Sequence, residues 1–530
     1  MKMVKSLILG SVAGVLAMSG AQAADLPVKA KAVEYVRICS LYGAGFWYIP
    51  GTDTCMKIGG YLRIDTTFNG GTYNAPAWSG DIGQHNRYAD WFQGRSRMAL
   101  TVDTRTATEY GVVRTFAQGD FQFTTLGNNT FNPNTVNMVA PIGSANLLDT
   151  PGSGYVAVEY VFLQFAGFTF GKSSSAYASP WNGFPGNNTS NLLGGHDTVT
   201  GVNNIQYTAQ FGNGVSGTIG LDDPVVFNRT TVANLTLGLG ATGALANAYG
   251  GVHYPDLVGN IRVDQAWGLF QISGALHEVN GSYNVLNTTA VPAGATGLAG
   301  AAPTGFSEIN GHPDSKVGGS VMVALNIKNI PTGPGDDIKI DASWSKGDTK
   351  NVISTAAPSP SFAMFGSTNR ADSYQSVGFG ATTDAVWLPA FAGGDGALHL
   401  TTAYGVRGAF NHNWDPYWST SIFGQYSAVR YDDVAKANFC AVYTPGKAVS
   451  GDFVCNTDFN TSQLGAVTRW TPVKNLTFSA EFVWFHLDQK FAGSAALTPA
   501  APKPGAAQGA RYEFKDQDAF SLGVRAQRNF

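Results

Sequence analysis

Apolar and polar side chains alternate strictly along the last residues of the chain. In 520–530 the even positions are apolar except for Arg528, whereas the odd positions from 519 to 529 are small or polar. A period of two is that of a β-strand with one apolar and one polar face. In a soluble sheet the apolar face would pack on a core, whereas in a membrane barrel it would face lipid.

The same alternation recurs along the chain and predicts further strands. Clear examples are the segments 204–211, 315–328, 338–345, 400–411 and 475–484. Their polar faces carry Lys, Arg, Asp and Gln side chains in the middle of the predicted strand. A soluble sandwich also alternates, with its polar face in water, so the alternation alone does not distinguish it from a membrane barrel.

The connections between these strands are alternately short and long. The predicted short turns lie at 104–108, 166–167, 212–214, 267–268, 329–336, 415–416 and 472–474. The predicted long loops, rich in Gly, Asn, Ser and Pro, lie at 69–90, 120–153, 173–200, 223–255, 280–313, 347–397, 432–460 and 489–516. This rhythm is typical of transmembrane barrels, in which short turns gather at one rim and long loops at the other.

The connections predict an all-β fold, a sixteen-stranded antiparallel transmembrane β-barrel, with both termini on the short-turn side. An additional hairpin within 347–397 would make eighteen strands. The last strand must close the barrel against the first, "KIGGYLRIDTTF" at 57–68. Phe530 would then sit at the membrane interface, where aromatic side chains are favoured.

Composition supports a β-protein rather than a helical one. The chain has 65 glycines, and charged residues make up 13% of it, against roughly 25% in an ordinary soluble protein. After the N-terminus no stretch has 18 consecutive strongly apolar residues, which excludes helical membrane spans. No cluster of Lys and Arg resembles a phosphate-tracking surface, so we expect no nucleic-acid partner.

The first 23 residues have the pattern of a secretory signal peptide. Lys2 and Lys5 precede a short apolar run, and "AQA" at 21–23 is a small-residue cleavage site. Cleavage between Ala23 and Ala24 removes two of the 33 basic residues and leaves 31 against 36 acidic residues. The sequence therefore predicts a mature chain that leaves the cytoplasm with a net charge near −5.

The four cysteines fall into two pairs, each enclosing a short loop. They are Cys39 with Cys55 and Cys440 with Cys455. An even number of cysteines in a secreted protein favours disulfides, and neither pair has histidines at zinc-site spacing. Four cysteines allow three connectivities, and only closeness in sequence favours the local one. We expect the first disulfide in a periplasmic segment, 24–56, ahead of a barrel domain, 57–530.

Several stretches resemble the trimeric general porins of alphaproteobacterial outer membranes. These stretches are "ADLPVKAKA" after the cleavage site, "CSLYGAGFWYIPGTDTCMKIGGYLRID" at 39–65, "FAGFTFGKS" at 165–173, "NNIQYTAQFGNG" at 203–214, "TRWTPVKNLTFSAEFVW" at 468–484 and the closing "QRNF". The resemblance covers essentially the whole mature chain, and its cysteine-framed segment is the most specific part.

The resemblance implies a non-enzymatic homotrimer that lets small hydrophilic solutes and ions diffuse across the outer membrane. Its surroundings would be outer-membrane lipid and lipopolysaccharide, and no cofactor is implied. The third long loop, here 173–200, would fold into the lumen and narrow it. In such porins acidic residues on this loop usually face arginines on the wall. Here the loop carries one acid, Asp197, beside His196, so we expect a weak transverse field.

Charged residues on the polar strand faces are the candidate pore residues, because fixed charges orient ions in a water-filled channel. For the constriction we expect Arg63, Arg95, Arg97, Arg114, Asp197 and His196. For the lumen wall we expect Arg262, Arg407, Arg469, Arg525, Asp65, Asp103 and Glu481. Charge reversal at Arg97 should shift ion selectivity toward cations and leave folding intact.

Three other functions would each leave a different pattern in the sequence. A sugar- or substrate-specific channel would need an aromatic track along the lumen, and Tyr61 and Phe423 are aromatics on polar faces. A barrel hydrolase would need a Ser or Asp nucleophile beside a His, and no local grouping of this kind stands out. A secreted adhesin would show an internal repeat of fixed period, which the sequence lacks.

Two glycine-rich motifs resemble nucleotide-binding loops only in their letters. "GLGATG" at 238–243 has no strand and helix around it, as a dinucleotide site requires. "FAGFTFGKS" has Ala166 where a phosphate loop needs its first glycine, and it continues a strand. Neither motif predicts nucleotide binding.

Overall fold

A computed structural model describes residues 37–79, 83, 91–124, 153–197, 199–224, 229–237, 245–286, 308–355, 359–498, 507 and 509–530. The predicted signal sequence with its cleavage site, Ala23–Ala24, lies outside the described residues, as does the glycine-rich motif at 238–243. Among the described residues, no helix combines the length and the apolarity needed to cross a membrane.

In the part of the chain that the structure describes, sixteen strands form one closed antiparallel ring. They are β1 (Cys55–Phe68), β2 (Phe92–Thr108), β3 (Gly111–Thr124), β4 (Ser153–Phe165), β5 (Phe168–Ser173), β6 (Val202–Gly212), β7 (Val215–Asp222), β8 (Asp256–Gln265), β9 (Gly268–Val279), β10 (Lys316–Lys328), β11 (Asp337–Lys346), β12 (Thr402–Asn413), β13 (Trp418–Arg430), β14 (Phe459–Val473), β15 (Leu476–Gln489) and β16 (Gln517–Asn529). Each pairs with its neighbours in chain order, and β16 pairs with β1. A short strand, Trp47–Tyr48, extends the sheet along β1.

The end of the chain closes this ring through its last residue. The amide of Phe530 donates to the carbonyl of Gly60 at 3.0 Å, and the amide of Gly60 donates back at 3.2 Å. A side chain at Gly60 would place its Cβ 2.0 Å from the carbonyl oxygen of Ala99 on β2. Only glycine therefore lets β1 lie this close to β2 at the point where the last strand joins.

The apolar side chains of the strands lie on the outside of the barrel. On β16 the side chains of Phe520, Leu522 and Val524 are 38–51% exposed, whereas Ala519 and Ser521 are 2–3% exposed. The other strands continue this outer apolar surface, with exposed Ile, Leu, Val and aromatic residues in alternate positions. This is the arrangement of a barrel that faces lipid outside and keeps its polar face inside.

Two-residue hairpins connect several strands at the short-turn end. Ala166 and Gly167 have φ angles of +49° and +86°, and Asn213 and Gly214 have +51° and +76°. Two successive positive φ angles match the type I′ turn, whose twist suits a hairpin. These turns lie where the sequence predicts them.

The first short turn is an exception, and the prediction of a turn at 104–108 is wrong. Strand β2 continues to Thr108, which pairs with Gly111, so the turn is Glu109-Tyr110. The threonines of this polar stretch favour strand structure. Thr104 and Thr115 are also hydrogen-bonded to each other across the two strands, which holds the polar stretch in the sheet.

The long loops pack together at the other end as a cap with its own apolar core. Trp78 of the first loop contacts Phe362 and Phe485, with ring centroids 5.4 and 5.0 Å apart. Asp432 is the N-cap of helix α1 (Asp433–Tyr443), and its side chain accepts a hydrogen bond from the Ala435 amide. The helix buries one face in this core.

The hairpin suspected within 347–397 belongs to this cap and not to the barrel. Phe362–Gly366 pairs with Gln375–Gly380, which pairs in turn with Arg511–Phe514 of the last long loop. The barrel therefore keeps sixteen strands, because the residues that could form two more are covered by other loops instead of by lipid.

Both disulfides have the predicted local pairing. Cys39–Cys55 ties the segment ahead of the barrel to the first residue of β1. Cys440–Cys455 joins helix α1 to the chain that follows it, within the cap. Because Cys55 opens β1, the first strand begins two residues before the boundary expected from the sequence.

Candidate functional site

The connection from β5 to β6, residues 174–201, runs across the polar interior of the barrel. Its hydrogen-bond partners include the side chains of Asn260, Gln271, Asp341, Arg407, Gln463, Glu481 and Arg525. These side chains lie on seven different strands, β8, β9, β11, β12, β14, β15 and β16, so the segment contacts much of the ring. We call residues 174–201 the inner segment.

Arg407 is the principal anchor of the inner segment. Its Nε donates to Asp341 at 2.9 Å, and its Nη atoms donate to the carbonyl oxygens of Leu192, Gly195 and His196. Its side chain is fully buried. Arg407 is predicted as a charge on the lumen wall. In the structure its guanidinium group donates hydrogen bonds to one carboxylate and three backbone carbonyls.

Three other predicted wall residues also hold the inner segment. Arg469 Nη2 donates to the carbonyl of Gly186 at 2.5 Å, and Glu481 accepts from the amide of Asn188. Arg525 Nη2 donates to the carbonyl of Asn188 at 3.2 Å, while its Nε binds Asp65 at 2.5 Å. The wall charges opposite β1–β5 thus fix a loop in place.

His196 and Asp197 lie on the side of the inner segment that faces the cap. The Asp197 amide donates to Ser354 at 3.0 Å, and His196 packs edge-on against Tyr177. Burial raises the pKa of Asp197 to about 6 and lowers the pKa of His196 to about 3. The structure does not bring these two residues together with the arginines of β1 and β2, beside which the sequence analysis placed them.

Asp65 lies between two arginines on the wall formed by β1, β2 and β16. Arg95 Nη2 is 2.5 Å from Asp65 Oδ2, and Arg525 Nε is 2.5 Å from Asp65 Oδ1. The guanidinium of Arg95 also lies 4.0 Å from the ring centre of Tyr73, a residue of the first long loop. One carboxylate therefore partly neutralises two of the predicted pore cations.

Arg97 has a partner for each part of its guanidinium group. Its Nη1 is 2.6 Å from Asp120 and 3.1 Å from Glu159, its Nε donates to Gln122 at 2.7 Å, and its Nη2 donates to Tyr73 at 2.9 Å. Charge reversal here would bury a third carboxylate beside two others. Because of these contacts we expect a charge-reversal variant at Arg97 to be less stable than wild type, whereas the sequence alone predicts intact folding.

Arg63 differs from the other arginines of this wall. Its Nε donates to Gln527 at 2.8 Å, and its guanidinium lies 4.4 Å from the ring centre of Tyr61. Among the described residues no carboxylate forms an ion pair with it, and its side chain borders an open cavity. Arg63 is therefore a cation available to a solute.

The remaining predicted charges lie near the short-turn end. Arg114 Nη2 is 3.0 Å from Asp103, which Arg105 also binds. Arg262 binds Asp264 at 2.8 Å. The structure places Arg114 three residues from the turn between β2 and β3, apart from the inner segment, rather than in the constriction expected for it.

A cavity of about 600 Å³ lies between the inner segment and the wall of β1–β5. Its charged lining residues are Arg63, Arg97, Glu159, Lys172 and Arg525. Its aromatic lining residues are Tyr61, Tyr73, Tyr155, Tyr160 and Phe184. Within the described ranges, no group of His, Cys, Asp or Glu side chains is placed to hold a metal ion.

Sequence reasoning missed Glu159 because the alternation of β4 breaks there. The pairing of β3 with β4 shifts register between Gln118 and Gly119, so one residue of β4 is extra. This bulge lets Glu159 and the next residue, Tyr160, both face the cavity. The signal in the sequence is the acid that interrupts "VAVEYVF" at 156–162.

Lys172 and Tyr73 are two further lining residues that are absent from the predicted set. Lys172 Nζ donates to the carbonyls of Val158, Glu159 and Thr200, so it ties the end of the inner segment to β4. Tyr73 lies in a long loop, where no alternation exists to show which way a side chain faces. Tyr73 lies against Arg95 and Arg97 because the first long loop packs onto strand β2.

Comparisons with known proteins agree with this architecture. Residues 25–523 match the family model described as "Porin subfamily". Porin Omp2b of Brucella suis biovar 1 (strain 1330) is 31% identical over 268 residues, which are 50% of this chain and 63% of that protein. Porin Omp2b of Brucella abortus (strain 2308) is 31% identical over 272 residues, with the same shares. The match thus spans less than two thirds of these relatives' length.

A solved structure shares the fold. The outer membrane channel DcaP of Acinetobacter baumannii superposes with a TM-score of 0.53, covering 91% of this chain and 99% of its own, at 14% sequence identity. The barrel and the family match together confirm the family predicted from the cysteine-framed segment and the strand motifs. The chain belongs to the porin subfamily.

Proposed function

We propose that the protein is an outer-membrane porin through which small hydrophilic solutes and ions diffuse passively. The observation that carries the proposal is the cavity between the inner segment and β1–β5, enclosed in a barrel with an apolar exterior. A polar lumen replaces the lipid barrier with water, and the solute gradient supplies the driving force. The proposal involves no chemical step and no cofactor.

In this proposal the inner segment narrows the pore and sets its size limit. Arg407 and Arg469 hold the segment on one side of the barrel, and Lys172 holds its end on the other. Hydrogen bonds to charged groups are worth about 1.5–3 kcal/mol each, so we expect the aperture to stay constant during permeation. The solute path would then run along β1–β5.

The lining charges favour a weak preference for anions. Arg63, Arg97, Arg525 and Lys172 border the cavity, against one acid, Glu159. Asp65 and Asp120 reduce this excess, because they pair with Arg525 and Arg97. A partly neutralised positive lining raises the local concentration of anions without excluding cations.

The homotrimer, the outer-membrane lipid and lipopolysaccharide surroundings and the periplasmic position of 24–56 are also proposals. Their support is the family resemblance and the placement of both barrel ends at the short-turn rim. Light scattering of the purified protein in detergent, corrected for bound detergent, tests the oligomer. A mass of three chains supports the trimer, and a mass of one chain contradicts it.

Liposome swelling with neutral solutes of increasing size tests passive diffusion. We expect rapid swelling with the smallest sugars and a steep fall over a narrow size range, because one fixed aperture limits passage. Heat-denatured protein in the same lipid is the control. Swelling no faster than this control, from protein that retains its β-sheet spectrum, would contradict the proposal.

A further inference from the structure

The pore cavity combines aromatic rings with a cation that lacks a carboxylate partner. Tyr61, Tyr155 and Tyr160 border it from the barrel wall, and Phe184 borders it from the inner segment. Rings therefore lie on both sides of the space that a solute crosses. A sugar-specific channel would need aromatic side chains in the lumen. The structure places more aromatic residues there than the strand pattern predicts.

The polar groups beside these rings favour an acid over a neutral sugar. Arg63 borders the cavity, and its described hydrogen bond uses Nε. Arg525 lies on the neighbouring strand, β16, and borders the same cavity. A guanidinium fork matches the two oxygens of a carboxylate. Guanidinium groups only donate hydrogen bonds and carry a positive charge, so these two arginines favour a carboxylate over a neutral solute.

The backbone at Phe184 is held by hydrogen bonds on both sides of this residue. Trp181 Nε1 donates to Asp341 at 2.6 Å, and Asn411 donates to the carbonyl of Pro185 at 2.9 Å. The Phe184 amide also donates to the carbonyl of Trp181 at 2.9 Å. On the wall, Arg63 lies against Tyr61. Both sides of the cavity are thus ordered before a solute enters, which lowers the entropy cost of binding.

We propose that this cavity is a subsite for small aromatic carboxylates, which deepens and depends on the porin function proposed above. The carboxylate binds the guanidinium of Arg63, and the ring contacts Phe184 and Tyr61. The cavity volume of about 600 Å³ is within the range of small-molecule sites. Binding is weak and reversible, so that it concentrates the solute in the pore without trapping it.

The test measures how benzoate reduces the potassium chloride current through single channels of the full-length protein. Acetate is the control that has the carboxylate without the ring, and benzyl alcohol has the ring without the carboxylate. We expect benzoate to reduce the current at a concentration about tenfold lower than acetate, which lacks the aromatic contact, and about tenfold lower than benzyl alcohol, which lacks the charged hydrogen bond.

Two variants and a matched control locate the effect. Arg63→Gln, which removes the cation, and Phe184→Leu, which removes the ring, should each raise the half-blocking benzoate concentration by about tenfold. Arg262→Gln removes a lumen-side arginine outside this cavity and should leave benzoate block unchanged. Phe184 lies in a loop and not in a barrel strand, so Phe184→Leu should fold. This variant can therefore test the subsite even if Arg63→Gln does not fold.

Equal block by benzoate and acetate in a conducting channel would overturn the subsite and leave passive diffusion standing. Benzoate block that persists unchanged in folded Arg63→Gln and Phe184→Leu channels would also overturn it. Absence of any potassium chloride current would instead contradict the porin function itself, so the two failures are distinguishable.

Discussion

The arginines inside the barrel divide into three groups according to the contacts of their guanidinium groups. Arg407 and Arg469 bind the inner segment, and Arg97 binds two carboxylates with a tyrosine and a glutamine. Arg63 has no carboxylate partner among the described residues. Their position on the polar face was predictable from alternation, but their division was not, because each partner lies far away in sequence.

Replacing Arg97 tests the residue-scale account of the buried charges. Arg97→Gln leaves Asp120 and Glu159 buried without their cation, a change that typically costs about 3–5 kcal/mol. We expect the variant to unfold at a clearly lower temperature than wild type, measured by the loss of β-sheet signal in detergent. Arg262→Gln, which breaks a half-exposed pair, is the control. An equal fall in unfolding temperature in both variants would contradict the account.

His196 predicts a specific dependence on pH. Its pKa is lowered to about 3 by burial, and Arg407, Lys350, Asp197 and Tyr177 lie around it. A lowered pKa means that its stabilising contribution is complete above the usual histidine value of about 6.5 and is lost as the pH falls toward 3. Burial raises the pKa of Asp197 to about 6, which acts in the opposite sense between pH 6 and 4.

Comparison of wild type with His196→Asn isolates this contribution. Asparagine does not titrate, so the stability difference between the two proteins should narrow as the pH falls from 6.5 toward 3. Thermal unfolding in detergent at several pH values measures that difference. A difference that stays constant over the range would show that His196 does not titrate against its buried surroundings.

At the scale of elements, the strands follow the sequence pattern and the loops do not. The outer face of β16 and the hairpin at Ala166-Gly167 lie as the alternation and the turn residues predict. The bulge at Glu159 and the position of Tyr73 do not follow from any local pattern. The inner segment could be predicted only by resemblance, since its contacts join residues more than two hundred positions apart.

The cap disulfide gives a prediction at the element scale. Cys440–Cys455 closes a loop with a sequence separation of 15, and a loop of this length is stabilised by about 3 kcal/mol. In the double variant Cys440→Ser and Cys455→Ser we expect proteases to cut faster within 431–458, whereas the barrel strands stay protected. Mass spectrometry of the fragments locates the cuts.

The matching variant at Cys39 and Cys55 serves as the control, because that disulfide lies at the opposite end of the barrel. It should leave cutting of 431–458 unchanged. Faster cutting throughout the barrel strands in the cap variant would mean that the cap disulfide stabilises the whole fold, contrary to the prediction.

At the scale of the whole molecule, the barrel is asymmetric inside. The cap core and the inner segment fill the side toward β8–β16, whereas the cavity lies along β1–β5. The sequence predicted the closed ring, because alternation and connection lengths act locally along each strand. It did not predict where the open path lies, since that depends on how separate loops pack within the ring.

Single-channel recording in a planar bilayer under a potassium chloride gradient tests the central claim most directly. The account predicts stable conductance, in steps of three for a trimer, with a modest reversal potential of the sign that indicates anion preference. In Arg63→Gln this preference should decrease, because the variant removes a cation that borders the path. Well-folded protein that gives no conductance would contradict the account of an open diffusion pore.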